Sequence, residues 1–186
     1  MWPWTHALFG YACYSLAVRT GFRRRPTDAP ALLAVFAAVL PDLVDKPLAW
    51  TFGVVGSGYG PAHSLLVGVP AAAAFGAWLW QRGRHEAGLG FLVGYASHLV
   101  GDLLFQLWDE GELVFSVVLW PLGPASPDSS GNLLEHVVFF LFRYAGQIRA
   151  GEATTYLLAT IALAGGVVVL WLVDGAPGVR WLIRRD

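Results

Sequence analysis

Cysteine is almost missing from this chain: Cys13 stands alone, so no internal disulfide and no thiolate metal cage can form. Any metal must be held by nitrogen and oxygen. Charge is scarce as well, at 13% of residues against 56% hydrophobic, a balance too apolar for an ordinary soluble fold of 186 residues. The solvent is therefore partly lipid. The formal net charge of -1 offers no electrostatic footprint for nucleic acid, and that partner is not expected. No basic region precedes the first apolar run. Arg19, Arg23, Arg24 and Arg25 follow it instead, which is the wrong order for a cleaved signal peptide, and Met1 is expected to stay on the chain. Internal repeats and low-complexity tracts are also missing.

What is present is a series of apolar runs. Ala62 to Trp80, Ala87 to Trp108 and Ala153 to Val173 approach or reach the ~20 residues that cross a bilayer. Shorter runs at Thr5 to Val18, Ala31 to Leu40 and Leu133 to Phe142 read as tilted spans, re-entrant pieces or buried helices. The expected fold is all-α, an integral membrane bundle of four to six helices in one domain over residues 1–186. Its core covers about residues 1–122, followed by C-terminal helices over 133–186. Trp50, Trp78, Trp80, Trp108, Trp120, Trp171 and Trp181 lie near run ends, where an indole prefers the headgroup level. Placing Arg19 to Arg25, Arg82 and Arg84 in the cytoplasm puts the N-terminus outside.

Proline and glycine punctuate the runs. Pro41 and Pro47 bracket Asp42 and Asp45 where the second run ends, Gly53 to Gly60 reads as a flexible connection, and Pro61 is placed to open a helix with His63 in its first turn. Pro121 to Gly131 reads as a loop.

The run from Ala87 to Trp108 carries Gly90, Gly94, His98, Asp102 and Gln106 at every fourth position, a stripe that drifts by only ~40° per step on an α-helix. Small residues allow close helix approach in lipid, and polar ones must face protein or a water-filled cavity, so this face points inward. An aspartate near mid-span costs about 3 kcal/mol unless it is paired or bound. His98 and Asp102, at i and i+4, can aim an imidazole and a carboxylate at one ion. They can equally form a hydrogen bond that pins helices together.

With the N-terminus outside, His6, Asp42, Asp45, His63, His98 and Asp102 come from separate stretches to one depth, in the outer half of the bundle. That convergence favours a metal site over isolated hydrogen bonds. Taken singly, His6 can cap or snorkel, Asp42 and Asp45 can form a solvated group with Lys46, and His63 can bond to backbone at a helix start. His85, between Arg84 and Glu86, reads as solvated; His136 beside Glu135 reads as a buried structural histidine.

Five segments in order are similar to the YdjM-like family, inner-membrane-associated proteins taken for metal-dependent hydrolases. They are Thr5 to Gly10, Leu40 to Asp45, Ala62 to Leu66, Gly94 to Asp102 and Leu119 to Pro121, together spanning about the first 120 residues. More distantly, the order of His, Asp, His and His-x-x-x-Asp resembles the soluble zinc-dependent phospholipase C and P1 nuclease group. That likeness implies one metal on His63, His98, Asp102 and one of Asp42 or Asp45, with His6 at a neighbouring ion that shares Asp102. Those soluble enzymes also use a free N-terminal Trp amine, whereas Trp2 and Trp4 here follow Met1. Many YdjM-like sequences carry a His-Arg pair and a Thr ahead of the histidine matching His63; this chain has Gly58, Tyr59 and Ala62 there.

The resulting expectation is a membrane hydrolase with one or two divalent ions, zinc first and manganese or iron next, acting on a phosphoester, with a lipid one favoured by a site near the outer leaflet. Of Asp42 and Asp45, the one that is not a ligand would orient or deprotonate water. A non-catalytic protein with a structural ion, and a small transporter relaying protons or ions through His98 and Asp102, are the alternatives. The bilayer and the substrate are the expected partners; oligomeric state is not legible.

Overall fold

A computed structural model describes residues 1–123, 132–152 and 154–179. Among the described residues the chain is all-helical, without strands. Seven α-helices run in order: α1 (Pro3–Gly21), α2 (Asp28–Ala37), α3 (Leu40–Trp50), α4 (Gly68–Gln81), α5 (His85–Glu110), α6 (Leu133–Ala150) and α7 (Thr154–Val173), with a 3-10 turn at Phe115–Val118. Most of the expected loop from Pro121 to Gly131, and also Trp181, Arg180, Arg184 and Arg185, lie outside the described residues.

Helix α5 is the central post, packed by α1, α2 and α4, while α7 packs on α1. Its glycine stripe is what lets the others approach. A Cβ at Gly94 would lie 2.1 Å from the Ala34 carbonyl oxygen of α2, and one at Gly10 of α1 would lie 2.3 Å from the Cβ of Ala38. The α2 backbone thus closes on α5 with no side chain between them, and α1 closes on the end of α2. Gly90, Gly94, His98, Asp102 and Gln106 are all buried, so the stripe faces inward as its period requires.

Two helices, α5 and α7, are long and apolar enough to cross a membrane. The apolar run from Ala62 to Trp80 does not form the expected single span. Residues 61–67 are turns, and α4 begins only at Gly68, so His63 precedes the helix rather than sitting in its first turn. The reason lies elsewhere in the chain: the backbone N–H groups of Gly60, Ala62 and His63 donate to the Asp45 carboxylate at 2.8, 3.0 and 2.9 Å, and Leu65 N–H donates to the Val118 carbonyl. Those groups are spent outside a helical ladder. A second difference lies at Pro41. The second apolar run is followed by a new helix, and Asp42 sits in the first turn of α3. Pro41 has no N–H and so cannot carry the α2 ladder across, which leaves a break at Ala38 and Val39.

The exterior is apolar. Val168, Val169 and Leu172 on α7, and Leu134, Phe139 and Phe142 on α6, are exposed, as is Trp108 near the end of α5. A soluble monomer rarely shows so much contiguous apolar surface.

Candidate metal centre

Every sequence-derived candidate converges on one buried cluster: His6, Asp42, Asp45, His63, His98 and Asp102 are each no more than 6% exposed. α1 brings His6, the first turns of α3 bring Asp42 and Asp45, the turns before α4 bring His63, and α5 brings His98 and Asp102. The sequence had left open which aspartate faces the histidines. Asp42 Oδ1 lies 3.6 Å from His63 Nε2 and 3.8 Å from His98 Nε2. Asp102 Oδ2 lies 3.6 Å and 3.5 Å from the same two nitrogens. Edges of about 3.3 Å join the donors of a tetrahedral zinc with bonds of ~2.0 Å. These four distances are close to that spacing.

The two imidazoles decide what the cluster needs. His98 Nδ1 lies 2.7 Å from the Ala38 carbonyl oxygen, which can only accept, so Nδ1 carries the proton. His63 Nδ1 lies 2.7 Å from Asp45 Oδ2, again an acceptor. Both rings, when neutral, therefore present bare Nε2 lone pairs, and these two nitrogens face each other at 3.0 Å. Two lone pairs at that distance repel unless a metal ion lies against both or a proton on one Nε2 turns the contact into an N–H···N hydrogen bond. Two carboxylate oxygens stand beside them, and the neighbouring cations bind the far oxygens of those carboxylates, the Met1 amine at Asp102 Oδ1 and Lys46 Nζ at Asp42 Oδ2. Groups able to hold a metal ion are accordingly found at Asp42, His63 and His98, and at His6, His98 and Asp102.

Asp45 does something different from Asp42. Its oxygens accept from His63 Nδ1 and from the backbone N–H groups of Gly60, Ala62 and His63. A carboxylate so occupied orients the imidazole and fixes its tautomer, as the partners of metal-bound histidines do. These contacts engage both of its oxygens.

His6 belongs to the cluster through Asp102. Its Nε2 is 3.1 Å from Asp102 Oδ1, and its ring stacks on that of His98 at 3.8 Å. Among the described residues neither of its ring nitrogens has a partner of hydrogen-bond geometry, although the residue is buried. The Met1 amine also reaches Asp102 Oδ1, at 2.9 Å.

His85 is exposed and lies edge-on to Trp80 at 4.6 Å, in keeping with a surface position. His136 is buried, stacked on Trp50 at 4.6 Å, with Nδ1 3.1 Å from the Asn132 carbonyl oxygen. Glu135 closes a capping box with Asn132 at the start of α6. Neither joins the cluster.

Several supports went unread in the sequence. The Ala38 carbonyl lies in the break between α2 and α3, a break that Pro41 signalled only as a helix end. Tyr95, one turn before His98 on α5, donates through its hydroxyl to the Ala62 carbonyl and so pins the turn that carries His63. Ser64 Oγ donates to the Trp120 carbonyl at 2.5 Å, tying the 3-10 region to that same turn.

The sequence profile of the YdjM inner membrane protein family matches residues 1–175. This chain belongs to that family. Members are inner membrane proteins, so the apolar exterior meets lipid and the buried His and Asp cluster lies in a protein held at a bilayer. No curated relative and no solved structure matches the chain.

Proposed function

We propose that this YdjM-family protein is a membrane-bound, metal-dependent hydrolase acting on a phosphoester. The observation that carries the reading is the pair of facing Nε2 atoms 3.0 Å apart, each ring committed at Nδ1 to an acceptor, with carboxylate oxygens of Asp42 and Asp102 beside them. His63, His98, Asp42 and Asp102 would hold the ion, zinc being the natural fit for nitrogen and oxygen donors in this spacing. His6, against Asp102, is suited to a second ion or to orienting that carboxylate. A divalent ion there supplies Lewis acidity and makes water a competent nucleophile near neutral pH.

The chain's own residues supply the rest. Asp45 and the Ala38 carbonyl hold the two imidazoles in the tautomer that leaves Nε2 free, and burial keeps bulk water from competing for the donors. Structural zinc sites are mostly built on cysteine, while sets of histidine and carboxylate are typical of catalytic ones, and this supports hydrolysis over a purely structural role. Arg19 to Arg25, Arg82 and Arg84 gather at the ends of α1 and α4, remote from His6 along the chain, and the positive-inside rule then favours a site near the extracytoplasmic face. A lipid phosphoester reaches such a site without leaving the membrane. The substrate class rests on the resemblance to the phospholipase C group.

One observation favours a second reading. Two imidazole nitrogens with two carboxylate oxygens beside them are enough donors to fill a tetrahedral shell, which is how a structural ion is held. The test covers both. Elemental analysis of detergent-purified wild type and His98→Ala should find metal in the first and background in the second; equal metal in both would sink the site. Cobalt-substituted protein should change its visible spectrum on adding azide if a coordination position opens, and stay unchanged if the shell is closed. Phosphomonoester and phosphodiester screens with the metal-loaded protein then read the activity directly.

A further inference from the structure

Lys46 is the only lysine of the chain and the only Lys or Arg between Arg25 and Arg82. It sits on α3 one turn after Asp42, and its Nζ donates to Asp42 Oδ2 at 2.5 Å while the other oxygen of that carboxylate faces His63 and His98. A single carboxylate therefore separates the ammonium from the candidate metal position. Lys46 is 27% exposed at its side chain, against 7% or less for Asp42, His63, His98 and Asp102, so it is the accessible end of the Asp42 contact. Its stem is held: Nζ lies 5.8 Å from the centroid of the Trp50 ring, and Trp50 is itself stacked on the buried His136. An ammonium carries three donors, and the Asp42 contact uses one.

We propose that Lys46 is the anion-holding group of this site, its ammonium taking a non-reacting oxygen of a phosphate group whose phosphorus is presented to the His63, His98, Asp42 and Asp102 cluster. The proposal rests on the metal-site reading above and deepens it by naming the group that the substrate must carry. Lysine serves phosphate as a point charge with rotatable donors, and one that borders a metal position can bridge to an oxyanion without leaving its carboxylate. A structural ion pair alone would only hold Asp42 in place, and the two roles differ in what a variant loses.

Wild type, Lys46→Met and Lys46→Arg, purified in detergent and loaded with zinc, are compared for metal content and for binding of inorganic phosphate by calorimetry; a second arm uses a short-chain phosphatidic acid. Lys46→Met should keep its metal and bind phosphate about 10- to 100-fold more weakly, the loss of one charge-assisted hydrogen bond, and Lys46→Arg should restore most of the affinity. Tighter Lys46-dependent binding of the phosphatidic acid assigns the subsite to a lipid headgroup, and equal binding assigns it to phosphate itself; either supports the role. Unchanged phosphate binding in Lys46→Met overturns it, as does loss of metal in step with loss of phosphate. A wild type that holds metal but binds neither probe overturns this inference alone, whereas one that holds no metal overturns the metal site with it.

Discussion

Among the described residues, buried carboxylates stand in two kinds of surroundings, and the two are chemically opposite. In one, Asp174 follows α7, its Oδ2 accepting from Tyr11 Oη at 2.8 Å and Ser15 Oγ at 2.7 Å and its Oδ1 from the Arg19 guanidinium. Close to it along α1, Glu86 accepts from Tyr14, Arg24 and both the backbone N–H and hydroxyl of Thr27. Every oxygen there has its donor. In the other place, around His98, the acceptors outnumber the donors: two imidazole lone pairs and the oxygens of Asp42 and Asp102 crowd one point. Burial of charge is common to both. The surplus of lone pairs is what distinguishes a candidate metal position from a helix clamp.

That contrast can be broken by experiment. The largest effect is expected from His98→Ala, which should drop metal to background and remove the ligand-dependent part of stability, about 4 kcal/mol when free metal is 1,000-fold above its dissociation constant. Elemental analysis and thermal unfolding with and without chelator measure it; a chelator-insensitive wild type would erase the distinction between the two places. Asp45→Asn comes next. The amide cannot accept from His63 Nδ1 and three backbone N–H groups as the carboxylate does, and metal affinity should fall about 10- to 100-fold while saturated metal content is kept. A competition titration against a chromophoric chelator reads the change. Asp174→Asn should do the converse, leaving metal affinity untouched and costing about 1–3 kcal/mol of stability, because an amide N–H₂ meets donors where an oxygen met them. Tyr95→Phe is the mildest: loss of the hydrogen bond to Ala62 should cost about 1 kcal/mol and loosen metal only slightly. Should Tyr95→Phe weaken metal as much as Asp45→Asn, the turn rather than the carboxylate would be what positions His63.

The stripe on α5 shows how far sequence can go. Gly90, Gly94, His98, Asp102 and Gln106 needed only the helical period to be read as one inward face, and all five are buried. The stretch around His63 shows where it stops. From Ala62 onward the residues are apolar enough for a span, yet the backbone takes turns because Asp45, many residues earlier, competes for its N–H groups. Hydropathy records side chains and is blind to that competition. The same blindness hid the division of labour between Asp42 and Asp45, which are three apart in sequence and both buried.

What the sequence alone determined is the medium, the helical class and the donor chemistry. Apolar content demands lipid, a single cysteine leaves nitrogen and oxygen as the only ligand atoms, and the i, i+4 spacing puts His98 and Asp102 on one face. These follow from composition and from the local geometry of one helix. Only the tertiary structure decided which lone pairs meet. The proton on each imidazole is set by its acceptor, Asp45 for His63 and the Ala38 carbonyl for His98, and both come from elsewhere in the chain. Contacts between distant segments cannot be read from the spacing within any one of them, and here those contacts leave two bare nitrogens 3.0 Å apart.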